Sequence, residues 1–235
     1  MIKALILVTN HTTFSSPDVQ PTGLWLSELT HFYDVFAKAG IEMEIASPKG
    51  GKIEIDARSL AWPVFDKATR KRFNAPQFMA LLDNTPALGS LNWDEYDVIY
   101  LAGGHGAMWD FAEDPTLHRL IAQSYEQGKV VAAVCHGVAG LMNVRLSSGR
   151  YLLDGKRGTG FAYFDETIAG VKHLVPYNLQ ARLKERGMRY SKALLPLMNH
   201  VVRDGQLITG QNPNSATGTA KAALAALEVR VSQAA

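Results

Sequence analysis

Short runs of consecutive apolar residues alternate with segments of helical period through the first part of the chain. Continuous apolar runs are typical of parallel strands that are buried on both faces. The runs cover residues 4–8, 41–47, 98–101 and 130–134, and helical patterns cover residues 23–39, 115–127 and a segment after Cys135. Because strand and helix alternate, the pattern predicts an α/β fold with a doubly wound, mostly parallel sheet sandwiched by helices.

The last part of the chain adds a hairpin and a helix to this pattern. Residues 200–203 and 206–209 flank Asp204 and Gly205, a dipeptide that favours a tight hairpin turn. The alanine-rich residues 215–227 predict a closing helix. No linker or internal repeat divides the chain, so we expect a single domain over residues 1–235.

Residues 56–92 do not follow the alternating pattern. They contain three prolines, a basic stretch at residues 67–72 and an amphipathic segment at residues 78–82. Structureless loops of this length are uncommon in compact domains, so we interpret the segment as a small inserted cap region over the sheet. The basic stretch predicts a solvated face rather than a binding site.

Composition and charge narrow the class of protein. The 24 basic and 22 acidic residues are spread along the chain and leave a net charge of +2, so we expect no nucleic-acid partner. The apolar stretch near the amino terminus is too short for a signal peptide or a membrane span. A single cysteine excludes an intrachain disulfide and fits a reducing compartment, and we expect a cytoplasmic protein.

The only cysteine, Cys135, follows the predicted strand at residues 130–134 and precedes His136 and Gly137. If a helix begins there, its unpaired N–H groups and its dipole favour an anion and lower the pKa of the thiol. The position parallels the nucleophile elbow of hydrolases, although the sequence G-x-S-x-G is absent. The alternative is a structural cysteine that is buried as a small apolar side chain. Both interpretations stay open on this segment alone.

A glycine-rich loop, LAGGHGAMWDF, follows the predicted strand at residues 98–101. Its glycines permit sharp turns that expose backbone N–H groups. Ligands of open parallel sheets bind beyond the carboxyl ends of the strands, so we expect this loop and the cysteine to converge. The amides of Gly104 and His136 are the candidate oxyanion hole, and Gly103 and His105 are expected to line the same pocket. A tight turn without a ligand is the alternative.

Glu28 lies inside the apolar stripe of the first predicted helix. At roughly 100° per residue, its neighbours on that side are Leu24, Trp25, Phe32, Val35, Phe36 and Ala39. A carboxylate in such a stripe is costly unless it is paired, and burial raises its pKa toward neutrality. A carboxyl of this kind exchanges protons near neutral pH or hydrogen-bonds a thiolate as the protonated acid. The alternative is a glutamate that reaches solvent or pairs with a buried arginine.

The remaining histidines show no spacing typical of metal ligands, and a single cysteine offers no structural zinc cluster, so we expect no metal. These histidines are His11, His31, His118, His173 and His200. A Cys–His dyad needs a third group that orients the imidazole, and Asp165 and Glu166 are the candidates for it. Because His136 is adjacent to Cys135, it either acts as a catalytic imidazole or chiefly contributes its backbone amide.

Taken in order, these segments resemble the ThiJ/PfpI superfamily, specifically its branch of small heat-shock chaperones and glyoxalase III enzymes. The resemblance covers nearly the whole chain. It rests on the early strand ending in Thr9-Asn10, GLWLSEL with Glu28, ASPKGG, Ile55-Asp56 with Ser59, AGGHGAMWD, AAVCHG, TGF followed by an acidic pair, and LITGQNPNSA. Two features depart from the family pattern: Val138 stands where many relatives carry proline, and the acidic pair is Asp-Glu rather than Glu-Glu.

The resemblance implies a flavodoxin-like fold related to class I glutamine amidotransferases. It also implies that Cys135 is the nucleophile with His136 beside it, and that Glu28 hydrogen-bonds the sulfur. Glu166, or failing that Asp165, is expected to complete a triad. A homodimer is a further expectation from the family.

The functional hypothesis is a glutathione-independent glyoxalase (glyoxalase III, D-lactate dehydratase type) that converts methylglyoxal or a similar 2-oxoaldehyde to the 2-hydroxy acid. Cys135 would form a hemithioacetal, and Glu28 or His136 would move a proton from C1 to C2, with no metal or organic cofactor. The alternative from another class is a stress-response holdase that binds unfolded client proteins, or a redox sensor that oxidises Cys135. A cysteine peptidase or amidase is the third, disfavoured because the adjacent histidine is poorly placed to protonate a leaving amine.

Overall fold

A six-stranded sheet forms the centre of the computed structural model, which describes residues 2–16 and 21–234. In chain order the strands are β1 (Lys3–Leu7), β2 (Glu42–Ala46), β3 (Val98–Leu101), β4 (Val130–Val134), β5 (Arg157–Gly158), β6 (Arg189–Tyr190), β7 (Val201–Asp204) and β8 (Leu207–Gly210). The sheet has the order β2-β1-β3-β4-β8-β7, whereas β5 and β6 form a separate small sheet. All neighbours from β2 to β8 are parallel, and β7 runs antiparallel to β8.

Helices flank the sheet. The α-helices are α1 (Leu26–Lys38), α2 (Lys67–Phe73), α3 (Pro76–Met79), α4 (Asp110–Glu113), α5 (Pro115–Glu126), α6 (Tyr163–Ile168), α7 (Leu179–Glu185) and α8 (Ala216–Ala234). Helix α1 packs against α8 and β2, and α5 packs against β4. The predicted doubly wound α/β fold is confirmed, and each predicted strand lies within one residue of its observed bounds. Among the described residues, no helix is both long and apolar enough to cross a membrane.

The apolar runs predicted the strands well because the middle of the sheet is covered on both faces. Every residue of β3 and β4 is buried. The ring of Tyr100 on β3 stacks on Phe32 of α1 with 3.7 Å between ring centroids, and Phe32 stacks on Phe36 at 4.2 Å. The Tyr100 hydroxyl donates a hydrogen bond of 2.8 Å to the Glu28 carbonyl, so this packing fixes the helix turn that carries Glu28.

Helix α1 begins three residues later than its periodicity predicts. The amide of Leu24 donates to the Glu54 carbonyl, and the amide of Asp56 donates to the Leu24 carbonyl, each over 2.9 Å. These bonds hold Leu24 in an extended bridge with Ile55, so its backbone does not join the helix.

The segment after Cys135 differs from the predicted helix in type. It is a 3-10 helix, Cys135–Leu141, and not an α-helix. Its two glycines stabilise an α-helix poorly and allow close packing against the end of β3. A Cβ atom at Gly137 would lie 2.5 Å from the Leu101 carbonyl oxygen, so only glycine permits this approach.

Residues 57–95 connect β2 to β3 through short helices. Besides α2 and α3 these are the 3-10 helices Ala57–Leu60, Ala80–Leu82, Leu88–Ser90 and Trp93–Glu95. In the basic stretch, Lys67, Arg70 and Lys71 are exposed, as expected of a solvated face. Arg72 is instead half-buried and forms an ion pair with Asp34 of α1. The interpretation of residues 56–92 as a cap within a single domain stays a prediction.

Candidate active site

The site lies beyond the carboxyl ends of β3 and β4. Cys135 follows β4 directly and has a φ of 56°, in the left-handed region that side chains other than glycine rarely adopt. Such a conformation costs about 1–3 kcal/mol and clusters at functional sites. The cysteine therefore stands on a strained turn, like the nucleophile of a hydrolase elbow, and it is buried.

His136 is placed as a catalytic imidazole despite its adjacency to the cysteine. Its Nδ1 lies 3.2 Å from the Cys135 Sγ, and its Nε2 lies 2.7 Å from Oε1 of Glu166. All three side chains are buried. A Glu166 carboxylate accepts from Nε2–H, which leaves the lone pair of Nδ1 directed at the thiol.

Of the two acidic candidates, the structure brings Glu166 to His136 and not Asp165. The Asp165 carboxylate accepts a hydrogen bond of 2.8 Å from Nε2 of Gln211. Asp165 and Glu166 are neighbours on the short helix α6, so their side chains leave it in different directions. Asp165 has a structural partner and no described contact with the imidazole.

His105 from the glycine-rich loop holds the second oxygen of Glu166. Its Nε2 lies 3.1 Å from Oε2, while Nη2 of Arg58 lies 3.2 Å from its Nδ1. A guanidinium can only donate, so Nδ1 accepts and the ring proton is on Nε2. Burial and the neighbouring His136 lower the pKa of His105 to about 4, and the ring is neutral at physiological pH.

The sequence patterns did not identify Arg58, although it completes this network. It lies in the 3-10 helix Ala57–Leu60, where its Nε donates to Oδ1 of Asp56 over 2.9 Å and its Nη2 contacts Oδ2. Asp56 is fully buried and also accepts from the Thr22 hydroxyl at 3.0 Å. A lone arginine in an irregular segment has no periodic signature, so only the three-dimensional contact reveals its place.

Glu166 is ionised because of these neighbours. Burial by itself raises the pKa of a carboxyl. The attraction of His136 and the hydrogen bonds from both imidazoles outweigh that effect and hold the pKa of Glu166 well below its usual range.

The environment of Glu28 raises the pKa of its carboxyl, in contrast to that of Glu166. Its side chain is fully buried, and Oε2 accepts a hydrogen bond of 2.7 Å from the amide of Gly103. Its Oε1 has no hydrogen-bond partner of ordinary geometry in the part of the chain that the structure describes. Burial raises the pKa of Glu28 to about 8, although the interactions with Cys135 and Gly103 act in the lowering direction. Glu28 is therefore mostly protonated at neutral pH, in agreement with the prediction from the helical wheel.

The expectation of a lowered thiol pKa at Cys135 is wrong. Burial raises the pKa of Cys135 well above its usual value, and the charge of Glu28 raises it further. The backbone N–H of His136 acts in the lowering direction but does not compensate for burial. Helix dipoles favour an anion chiefly where the helix is a regular α-helix, and here the seven-residue 3-10 helix Cys135–Leu141 replaces it. The thiol thus needs a base, and His136 Nδ1 is in position to be that base.

The glycines of the loop make room for these groups. A Cβ atom at Gly103 would lie 2.4 Å from Oε2 of Glu28 and 3.0 Å from the Cβ of Cys135. Gly104 has a φ of 118°, and a Cβ there would lie 2.1 Å from the Gly23 carbonyl oxygen. The amide of Gly103 is engaged with Glu28, and the pairing of Gly104 and His136 amides as an oxyanion hole stays a prediction.

A cavity of about 280 Å³ opens in front of Cys135. Apolar side chains form much of its wall, which fits a small organic substrate. The residues that line it, apart from the predicted site residues, are Trp25, Arg58, Val64, Phe161, Ile168, Ala169, Leu197, Pro213 and Asn214. His105, Cys135 and His136 complete the lining.

Side chains of the kind that bind metal ions come together at His105, His136 and Glu166, whose ligand atoms all lie within 4.8 Å of one another. In the structure these atoms are engaged with each other, because each imidazole Nε2 meets one oxygen of the carboxylate. A metal ion there would displace both hydrogen bonds and lie near the Arg58 guanidinium. We therefore interpret the cluster as a hydrogen-bonded network that orients His136.

Comparisons with known proteins agree with this geometry. Residues 22–226 match the model of the DJ-1/PfpI family. The chain is 32% identical to glyoxalase 3 of Candida albicans, with 97% of this chain and 99% of that protein covered. It is also 32% identical to the glutathione-independent glyoxalase HSP31 of Saccharomyces cerevisiae, with 96% and 98% covered.

Solved structures show the same fold. The Rapid Encystment Protein of Francisella tularensis superposes with a TM-score of 0.91 at 38% identity, covering 97% of this chain and 99% of that one. The glyoxalase III of Candida albicans superposes with a TM-score of 0.88 at 30% identity, covering 96% and 97%.

Replacement of Glu28 by glutamine is expected to lower the pKa of the Cys135 thiol, because the negative charge that opposes the thiolate is removed. The pH dependence of alkylation by iodoacetamide measures this directly, since Cys135 is the only cysteine. The exposed Glu113→Gln is the control and leaves the profile unchanged. A profile that does not move in Glu28→Gln contradicts the coupling between the two groups.

Proposed function

Because the chain belongs to the DJ-1/PfpI family, we propose that it is a glutathione-independent glyoxalase that converts a small 2-oxoaldehyde such as methylglyoxal to the 2-hydroxy acid. Several relatives of similar length carry that activity in their names. The observation that carries the proposal is the arrangement around Cys135. Nδ1 of His136 lies 3.2 Å from its sulfur, and the buried carboxyl of Glu28, with its raised pKa, is close enough that a Cβ atom at Gly103 would contact both Glu28 and Cys135.

The first step is the addition of the thiol to the aldehyde. Nδ1 of His136 takes the Cys135 proton while Sγ bonds to C1, and the imidazolium then gives that proton to the aldehyde oxygen. Glu166 stabilises the transient imidazolium, because its carboxylate accepts from the other ring nitrogen at 2.7 Å. The product is a neutral hemithioacetal. The cavity in front of Cys135 has room for it.

The second step moves a proton from C1 to C2. The ionised form of Glu28 removes the C1 proton, and the electron pair gives an enediolate with its negative charge on the C2 oxygen. The same carboxyl then returns this proton to C2, while the hydroxyl proton on the C1 oxygen passes to the C2 oxygen through Nδ1 of His136. Carbon C1 is oxidised to the level of a thioester while C2 is reduced to an alcohol, so no external oxidant is needed. A base with a pKa near 8 suits this task, because it both accepts and releases a proton near neutral pH.

Hydrolysis completes the cycle. Nδ1 of His136 takes a proton from a water molecule as that water adds to the thioester carbonyl. The C–S bond then breaks, and the imidazolium gives this proton to the sulfur. The backbone amides of Gly104 and His136 are the proposed donors to the oxygen of the tetrahedral intermediate. The 2-hydroxy acid leaves as its anion.

The assay of lactate formation from methylglyoxal without added thiol tests the mechanism. Cys135→Ala is expected to abolish turnover because it removes the nucleophile. Glu28→Gln is expected to lower kcat/KM by about 100-fold or more, the usual loss when a general base is removed. Full activity in both variants, with wild-type circular dichroism, contradicts the mechanism.

A matched pair of variants tests the third member of the triad. Glu166→Gln is expected to lower kcat/KM by about 100-fold or more, since an amide holds the imidazolium of His136 poorly. Asp165→Asn keeps an acceptor for Gln211 and is expected to stay within about tenfold of the wild type. Equal losses in the two variants would mean that Glu166 has no special part in the reaction.

A holdase chaperone is the second candidate, supported by the exposed apolar loop that precedes β7. Leu194 is 97% exposed, Leu195 58% and Met198 52%, and isolated soluble domains rarely expose such a run. If this loop binds unfolded clients, Cys135→Ala suppresses client aggregation as well as the wild type does. The double variant Leu194→Ser, Leu195→Ser then suppresses it less. Light scattering of a heat-denatured client measures the suppression by both variants.

The homodimer and the cytoplasmic location stay predictions.

A further inference from the structure

The segment that follows β8 is one of the motifs on which the family resemblance rests, but the proposed mechanism does not use it. Residues 211–215, QNPNS, lead from β8 into α8 and include three amide side chains. Gln211 and Asn212 are buried, which is costly for an amide unless its hydrogen-bonding groups are satisfied. The hydrogen-bond partners of these amides identify the part of the chain that the segment holds in place.

All three amides bind the backbone of one loop, residues 191–199, which we name the Leu197 loop. Oε1 of Gln211 accepts from the amide of Ala193 at 2.8 Å. Nδ2 of Asn212 donates to the Met198 carbonyl at 2.7 Å, and Nδ2 of Asn214 donates to the Leu197 carbonyl at 2.7 Å. The loop is thus fixed at both ends although its apolar side chains are exposed.

These bonds hold Leu197 in an unfavourable conformation. Its φ is 57°, in the left-handed region that is unfavourable for a bulky residue. Outside glycine, the described backbone adopts a positive φ at one other residue, the proposed nucleophile Cys135. Strain of this kind persists only where the surroundings impose it, and here two carbonyls in succession are bound by asparagine amides.

Leu197 is one of the residues that line the wall of the cavity in front of Cys135. Its neighbours in that wall include Pro213, Asn214 and Ile168, so the loop, the amide segment and α6 meet there. Nε2 of the Gln211 amide also donates a hydrogen bond to Asp165 of α6, so this side chain connects the Leu197 loop, the amide segment and α6. Leu197 is 38% exposed, whereas Leu194 of the same loop is 97% exposed and does not line the cavity.

We propose that Leu197 is the size-determining wall of this cavity, and that Gln211, Asn212 and Asn214 keep it there. Small 2-oxoaldehydes then reach Cys135, whereas those with a bulky group on C2 meet the leucine side chain. This assignment rests on the proposed function for the identity of the substrate, and on the geometry of the cavity for the role of Leu197.

The size of the passage to Cys135 can be measured without turnover. N-methylmaleimide and N-phenylmaleimide carry the same reactive group and differ in bulk, and Cys135 is the only thiol they can modify. Leu197→Ala is expected to raise the ratio of phenyl to methyl modification rates by about tenfold, the scale on which apolar pockets discriminate small groups. Asn214→Ala, which releases the Leu197 carbonyl, is expected to raise it in the same direction. Leu194→Ala is the matched control and leaves the ratio unchanged.

Turnover gives the second readout. The ratio of kcat/KM for phenylglyoxal to that for methylglyoxal is expected to rise in Leu197→Ala as the alkylation ratio does. An alkylation ratio in Leu197→Ala equal to that of the wild type overturns the assignment, and so does a wild-type Cys135 that neither maleimide modifies. If the alkylation ratios change as expected but no 2-oxoaldehyde is turned over, the assignment of Leu197 stands and the proposed glyoxalase function is wrong.

Discussion

The carboxylate of Glu166 is the interaction on which the rest of the site depends. It lies between two buried imidazoles, and each of its oxygens meets one ring nitrogen. A buried carboxylate without partners would take up a proton and could no longer accept the hydrogen bond that orients His136. Because it stays ionised, it fixes the tautomer of His136 and leaves the other ring nitrogen free to take the thiol proton. His105 and Arg58 contribute by keeping the second oxygen occupied.

Glu28 shows how the same side chain acquires the opposite property in the same site. Burial governs its pKa, because its neighbours among the described residues, Cys135 and the amide of Gly103, lower the pKa less than burial raises it. The carboxyl is therefore mostly protonated at neutral pH. The site therefore separates its two carboxyl groups, one permanently charged and one able to exchange a proton. The proposed mechanism uses this separation, with Glu166 as the stabiliser of positive charge on His136 and Glu28 as the general base.

Much of this arrangement could be predicted from the sequence because it is local. Continuous apolar runs identified the strands, and the helical wheel placed Glu28 inside the core. The rest depends on contacts between distant segments. The choice of Glu166 over Asp165 is decided by how α6 packs, and Arg58 lies in an irregular segment without a repeating pattern. The raised pKa of Cys135 could not be predicted, because the degree of burial overrides the turn geometry.

Arg58 comes from a part of the chain outside the central sheet. Asp56 and Arg58 belong to the connection between β2 and β3, which consists of short helices rather than sheet. Short helices open locally more readily than the strands of a central sheet. Such an opening withdraws the guanidinium from His105 while the sheet stays intact. We therefore expect thermal inactivation to begin in this connection, at a lower temperature than the one at which the central sheet unfolds.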